Sequence, residues 1–182
     1  MVELVVLIWT FMAIFAYIGY ERGVSKEIIS TAGIILGIFA FYEFDNLLRN
    51  TLLAGFAPEQ KFFIQCFLFG LLIYASYHTR AIIGGRGRGG RSPVQGKVIG
   101  MLFGLVNGYL IAGTIWYFLE LNRIGGLGAP YPLDPYVTVP QVGSISAQWL
   151  SYLPLVVLVP NGTDELLVLA VIVLFVIVLV VM

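Results

Sequence analysis

Uncharged and mostly apolar stretches recur along the chain, separated by short segments that hold the charged residues. Stretches of 15 to 22 residues without Asp, Glu, Lys or Arg cover residues 4–20, 28–42, 62–79, 98–119 and 166–182. A helix needs about 20 residues to cross the hydrocarbon core of a bilayer. The second stretch reaches that length when Lys26 and Glu27 at one end, and Glu43 and Asp45 at the other, lie at the headgroups. The pattern therefore predicts spans over residues 2–20, 24–44, 61–83, 98–120 and 165–182.

These spans are predicted to be helices, although the run 171–181 is rich in β-branched residues that favour strands in water. Inside a bilayer every backbone N–H and C=O must be hydrogen-bonded within the protein, which only helices and closed barrels achieve. Five segments are too few to close a barrel. The sequence therefore predicts an all-α membrane protein with four to five transmembrane helices in a single membrane domain, residues 1–182.

A further uncharged region, residues 135–163, is interrupted by four prolines and two glycines. Its densest apolar part, residues 149–159, is too short to cross a membrane. This part contains Trp149 and Tyr152, and both residue types favour the headgroup level. We predict an interfacial or re-entrant segment here, within a long connection over residues 121–164.

The composition supports a membrane location and excludes several kinds of site. Hydrophobic residues make up 59% of the chain and charged residues only 11%, and the mean hydropathy is +0.95. Cys66 is the only cysteine, which excludes an internal disulfide and a cysteine-based metal site. His78 is the only histidine, and snorkelling of its ring to the interface is favoured over service as a lone axial ligand to a haem or pigment. We predict no metal and no cofactor.

Basic residues are concentrated on one side of the predicted bundle. If the first four helices alternate, one side carries seven of the ten Lys and Arg residues: Arg22, Lys26, Arg80, Arg86, Arg88, Arg91 and Lys97. Cytoplasmic loops are enriched in Lys and Arg. We therefore predict that the basic, Gly-rich loop 84–97 is cytoplasmic and that the N-terminus and the connection 121–164 lie outside. The basic residues from Arg80 to Lys97 are expected to contact lipid headgroups and fix the topology.

The basic loop formally matches two nucleotide-binding motifs, but its context contradicts both. Gly85, Gly87 and Gly90 have the spacing of a dinucleotide fingerprint, yet they follow a membrane helix rather than a strand. Gly96-Lys97 resembles the end of a phosphate-binding loop, yet Val98 stands where Ser or Thr is required. No aromatic residue lies among the arginines, which argues against nucleic-acid binding. The spans provide no set of nucleophile, base and acid, so we predict a protein that is not an enzyme.

Small residues recur at every fourth position of the fourth predicted span, at Gly96, Gly100, Gly104, Gly108 and Ala112. The second span carries a matching pair, Gly33 and Gly37. Such faces let helix backbones approach closely in a membrane, where no hydrophobic effect drives helices together. We predict that these two faces pack on each other, within the monomer or across a homodimer. Asn107 is expected to hydrogen-bond to a neighbouring helix, the alternative being that it lines a polar path.

The entry to the second span carries a further pattern, Gly19-x-x-Arg22-Gly23-x-x-x-Glu27, which runs into the helix with Gly33 and Gly37 and is followed later by the glycine-repeat helix. Over about residues 1–120 this order resembles the bacterial colicin V production protein (CvpA) family. The resemblance implies a small polytopic inner-membrane protein linked to colicin V production or export and to envelope maintenance, with no established reaction. It also implies roles for Gly19, Arg22, Gly23 and Glu27. From the residues alone, Arg22 and Glu27 pair at the interface, where an exposed ion pair contributes about 0 to 1 kcal/mol.

Three functional hypotheses follow. The leading one is a protein that acts by helix packing and assembly, as a homo-oligomer or with partner membrane proteins, with lipids around it. The second is a transport or channel component in which the glycine face lines a path. The third is an accessory subunit of a larger respiratory or photosynthetic complex, since the span 165–182 is an addition to the four-helix plan of the family.

Overall fold

The structure is a computed structural model that describes residues 3–78, 93–124 and 129–181. Four long helices come first: α1 (Leu4–Arg22), α2 (Val24–Glu43), α3 (Pro58–His78) and α4 (Pro93–Leu121). Two short helices, α5 (Ile145–Trp149) and α6 (Pro154–Leu158), precede the apolar helix α7 (Glu165–Val181). No strand occurs in the described ranges, and the predicted all-α membrane fold is confirmed.

Three of these helices are long and apolar enough to cross a membrane: α1, α2 and the part of α4 over Val94–Leu121. A fourth candidate combines Ile145–Gly162 with Glu165–Val180, two parts bent by 119° relative to each other. Both α3 and α7 lie where spans were predicted, but a crossing by either helix alone stays a prediction. Residues 79–83 of the predicted third span lie outside the described residues.

Several helix boundaries differ from the predicted spans. Both α3 and α4 begin earlier, at Pro58 and Pro93. Proline suits the first position of a helix because the N–H that it lacks would have no partner there. A π-helical segment, Asn46–Leu52, follows α2 where no helix was predicted, and the Leu53 N–H donates to the Leu48 carbonyl at 2.8 Å. These extensions contain charged residues, Arg49, Glu59 and Lys97, and so lie outside spans that are delimited by charge.

The central helix α4 packs most extensively against α1, and the two helices run antiparallel. Gly100 of α4 lies against Gly19 and Gly23, and Gly104 lies against Phe15 and Gly19. These contacts involve backbone atoms, so the small residues of α4 do allow close approach, with α1 as the partner.

The predicted packing of the glycine face of α2 on that of α4 is wrong within the chain. Gly33 faces the side chain of Ser76, and Gly37 faces Leu72 and Phe69, all of which belong to α3. The glycines of α2 therefore accommodate side chains, whereas Gly100, Gly104 and Gly108 of α4 accommodate the backbone of α1 and its C-terminal turn. Helix α2 still contacts α4, but through other residues.

The segment between α4 and α7 packs on one end of the bundle. Trp149 of α5 contacts Trp9 of α1 edge to face, with ring centroids 5.4 Å apart. Pro154, which starts α6, lies against Gly113 of α4. Leu153 is buried beside it. These contacts attach the segment with α5 and α6 to α1 and α4. Its position at the membrane interface stays a prediction.

We call the contact of Gly100, Gly104 and Gly108 with α1 the glycine seam, and it leads to a testable prediction. A Cβ atom added at Gly108 would lie 2.7 Å from the Cα of Met12, which requires a backbone shift. We expect Gly108→Ala to lower the free energy of unfolding by about 1 to 3 kcal/mol, the usual cost of overpacking. Gly96→Ala is the matched control, because no atom lies within 4 Å of the added Cβ there. Denaturant unfolding of the purified protein, followed by circular dichroism, measures both, and equal losses would contradict the packing.

Candidate functional site

A single residue, Gly23, joins α1 to α2. Its φ of +80° lies in a region that side-chain-bearing residues rarely adopt, and its N–H donates to the carbonyl of Gly19 at 2.9 Å. This tight connection places Arg22, the last residue of α1, beside the first turn of α2, which contains Glu27. The motif residues that the sequence singled out therefore meet at one turn.

Arg22 and Glu27 form an ion pair with an N–O distance of 2.5 Å. The Arg22 guanidinium also donates to Ser30 Oγ at 3.0 Å and to the Tyr77 carbonyl at 3.1 Å. It lies over the Tyr77 ring, 4.3 Å from the ring centroid. The arginine side chain is 21% exposed, whereas that of Glu27 is fully buried. The cation therefore retains some access to the surface, and the carboxylate has none.

The second carboxylate oxygen of Glu27 is held by α3 and α4. It accepts hydrogen bonds from Asn107 Nδ2 at 2.8 Å and from the Tyr77 hydroxyl at 3.2 Å. The Asn107 amide donates to that hydroxyl as well, at 3.1 Å, and accepts from Thr31 Oγ1 at 2.7 Å. We call Arg22, Glu27, Ser30, Thr31, Tyr77 and Asn107 the polar cluster. It joins all four long helices at one level of the bundle.

The polar cluster corrects the expectation that Arg22 and Glu27 form an exposed interfacial pair. The sequence pattern predicts Glu27 at the headgroup end of the second span, but the structure places it in the interior of the bundle. Removal of one partner from a buried pair costs about 3 to 5 kcal/mol, because the other charge is left without compensation. Glu27 is therefore an ionisable group inside a helix that is long and apolar enough to span, a position that is usually functional in membrane proteins.

Ser30, Thr31 and Tyr77 were not predicted to belong to a site. A usable signal was present in α2, where Glu27, Ser30 and Thr31 have the spacing i, i+3, i+4 and so share one helix face. No comparable signal marks Tyr77, which contributes its ring, hydroxyl and carbonyl from α3.

Other residues predicted to be functional lie elsewhere. Ala112 is buried against α1, Gly96 has open space beside its Cα, and the Lys97 ammonium lies 5.0 Å from the Tyr20 ring centroid. His78 stacks on Tyr74 with ring centroids 4.7 Å apart. The predicted headgroup contacts Arg80, Arg86, Arg88 and Arg91 lie outside the described residues.

A second set of polar contacts lies at the opposite end of α4. Glu120 pairs with Arg123 at 2.5 Å and is hydrogen-bonded to the Tyr131 hydroxyl, which also accepts from Trp116 Nε1 at 3.1 Å. Burial, followed by the hydrogen bond to Glu120, raises the pKa of the Tyr131 phenol. These contacts attach the connection after α4 to the bundle.

The Gly23 turn, the polar cluster and the glycine face of α4 all lie in a region shared with other proteins. Residues 4–128 match the family described as colicin V production protein. The chain belongs to the colicin V production protein family. Comparisons with curated proteins and with solved structures gave no match. Membership in this family and the apolar helices identify a multi-pass membrane protein linked to colicin V production.

The buried ion pair makes a second testable prediction. We expect Glu27→Ala to lower the free energy of unfolding by about 3 to 5 kcal/mol, because it leaves the Arg22 guanidinium without its partner. Glu21→Ala, which removes an exposed carboxylate one residue before Arg22, is the control and should change stability by less than about 0.5 kcal/mol. Adding Arg22→Ala to Glu27→Ala should cost less than the sum of the two single losses. Additive losses in this double-mutant cycle would show that the pair is not coupled.

Proposed function

We propose that this protein is a non-enzymatic component of the bacterial inner membrane that acts by assembling with itself or with partner membrane proteins in colicin V production. The supporting observation is the closed polar cluster. Glu27, Tyr77 and Asn107 hydrogen-bond to one another, so their polar groups are used in holding the helices together. An amide that lines a transport path would instead present its polar atoms to that path. The polar cluster thus has the character of a fixed framework, and we place assembly on the outer surface.

The outer surface is apolar and aromatic on several helices. Tyr17 of α1, Phe67 of α3 and Phe175 of α7 each have more than 60% of their surface exposed. Such side chains contact either acyl chains or another protein in a membrane, and aromatic residues are common at helix–helix contacts between proteins. The three positions therefore sample three helices on which a partner can bind.

The assembly proposal predicts a contact on a defined face. Tyr17, Phe67 and Phe175 are replaced, one at a time, by the photoreactive amino acid benzoylphenylalanine, and whole cells are irradiated. We expect one or two of these positions to give a discrete adduct with a second copy or another membrane polypeptide, and the remaining face to give only lipid adducts. Lipid adducts alone from all three positions would contradict assembly through the helix surfaces.

We also propose that the N-terminus and the connection 121–164 lie outside and that the basic loop 84–97 is cytoplasmic. The unequal distribution of Lys and Arg supports this orientation. The packing of Gly100 on Gly23 adds support, because it brings the α1–α2 turn and the first half of α4 to the same end of the bundle. The Lys97 ammonium also lies near Tyr20 at that end.

The orientation predicts which side of the membrane a charged label can reach. In a Cys66→Ala background, Val142→Cys introduces a thiol at a fully exposed position, and Ser92→Cys introduces one in the basic loop. A membrane-impermeant maleimide should label the first variant in intact spheroplasts and the second only after permeabilisation. The reverse result, with Ser92→Cys labelled in intact spheroplasts and Val142→Cys only after permeabilisation, would show that the protein has the opposite orientation.

A further inference from the structure

A cavity of about 370 Å³ lies at the end of the bundle opposite to the polar cluster. It is lined by the last turn of α2, the start of the π-helical segment, the C-terminal half of α4, one residue of α3 and one of α6. The volume is within the range of small-molecule sites, which is about 300 to 1,000 Å³. The cavity does not include any residue of the polar cluster, so it is a separate candidate for binding.

Gln65, a residue at the inner wall of the cavity, has an amide nitrogen without a partner. Gln65 of α3 lines the cavity and is fully buried, and its Nε2 makes no hydrogen bond in the described structure. The orientation of this amide is fixed by its neighbours. Asn122 Nδ2 donates to the Phe118 carbonyl at 2.8 Å and to Gln65 Oε1 at 2.5 Å. Because the Gln65 oxygen must face Asn122, its NH₂ group is the end left unpaired.

A buried N–H without an acceptor is costly, typically by about 1 to 3 kcal/mol, and native structures seldom leave one unmatched. The NH₂ group has two hydrogens to donate and no acceptor of its own. A ligand that satisfies it must therefore present an acceptor oxygen to the inner wall.

The outer part of the cavity is acidic. Glu43 is exposed at the end of α2, and Asp45 is partly exposed beside it. Asp45 pairs with Arg49 at 3.4 Å, while burial raises its pKa against the opposing effect of that arginine. In the part of the chain that the structure describes, Glu43 forms no ion pair. The uncompensated negative charge of the cavity is therefore that of Glu43.

The wall between these two ends is largely aromatic. Phe41 and Phe118 contribute apolar rings, and Tyr42 and Tyr117 contribute rings whose faces attract cations. Leu155 of α6 adds a further apolar contact. The cavity thus combines an anionic mouth, an apolar and aromatic middle and an amide donor at the inner wall.

We propose that this cavity binds a molecule with a primary ammonium group joined through a short apolar chain to a hydrogen-bond-acceptor oxygen. The ammonium pairs with Glu43 at the mouth, and the oxygen accepts from Gln65 Nε2. Two sources supply this chemistry, an ethanolamine lipid headgroup and a free amine in the aqueous phase. The proposal does not depend on assembly with partner proteins, since all its residues belong to one chain.

The test uses the full-length protein in nanodiscs of phosphatidylglycerol and isothermal titration calorimetry. The probe is 6-aminohexanamide, which carries an ammonium group at one end and an amide oxygen at the other. Hexanamide lacks the ammonium and hexylamine lacks the oxygen, so each retains one half of the recognition. We expect the two-ended probe to bind at least about tenfold more tightly than either control. Equal affinities for all three compounds would overturn the proposal.

Two variants assign the binding to the cavity. Glu43→Gln should reduce the affinity for 6-aminohexanamide about tenfold while leaving that for hexanamide unchanged. Gln65→Met keeps the length of the side chain but removes the donor, and it should lower the affinity for 6-aminohexanamide while leaving that for hexylamine unchanged. Glu59→Gln, on α3 but outside the cavity lining, is the matched control and should have no effect.

Because Glu43 is exposed, its variant tests the proposal even if Gln65→Met fails to fold. A Glu43→Gln protein that binds the probe like the unmodified protein would refute it.

A second titration in a different lipid mixture distinguishes the lipid headgroup from the free amine. Half of the phosphatidylglycerol is replaced by phosphatidylethanolamine, and the titration is repeated. If a lipid headgroup occupies the cavity, the affinity for 6-aminohexanamide should fall about tenfold in the unmodified protein and should no longer differ between it and Glu43→Gln. If the affinity is unchanged by the lipid, a free amine is the source. Absence of probe binding in phosphatidylglycerol, together with no Glu43-dependent stabilisation of the protein by phosphatidylethanolamine, would overturn the proposal for both sources.

Discussion

The arrangement of the four long helices depends on the requirement to compensate a carboxylate that has no contact with water. Transfer of an isolated charge into a low-dielectric interior is so unfavourable that it persists only with a partner and a full set of hydrogen bonds. Glu27 obtains these from α1, α3 and α4, through Arg22, Tyr77 and Asn107. Each of these partners must lie within hydrogen-bond distance at the same time. The position of Glu27 thus fixes how far each helix can slide or rotate relative to α2.

The seam between α1 and α4 supplies the complementary, uncharged part of the framework. Its glycines bring backbone atoms into contact along both helices, so the association there depends on dispersion rather than on charge. Arg22 lies at the end of this seam, next to Gly23. Close approach of α1 to α4 therefore carries the guanidinium to the level where Glu27 requires it. The glycine seam and the ion pair support each other because one glycine turn connects them.

Much of this fold follows from the sequence. The lengths of the uncharged stretches identify the apolar helices, and the prolines and glycines after residue 135 identify the broken region. The partner of each glycine face does not follow, because a row of small residues marks where a helix can approach without specifying which helix does. Gly33 receives a serine side chain from α3, and nothing in its own neighbourhood in the sequence indicates this.

The candidate sites were less accessible to sequence reasoning than the fold. Arg22, Glu27 and Asn107 were each singled out, but their meeting depends on the distance between helices, which no local pattern encodes. The expectation that charged residues at the ends of a span reach the headgroups also missed the full burial of Glu27. Gln65 was not singled out because a single amide in an apolar helix carries no signal until the orientation of Asn122 is known.

The position of α7 affects the order in which the bundle can be completed during synthesis. This helix packs on α2, with Leu167 fully buried, and the preceding turn accepts a hydrogen bond from the Tyr42 hydroxyl at the Gly162 carbonyl, 3.1 Å away. The ribosome makes α2 long before α7, so that side of α2 must be covered temporarily by lipid or by the insertion machinery. The nascent chain therefore passes through a state in which α1 to α4 have been synthesised while the side of α2 that α7 later covers lacks its final contacts.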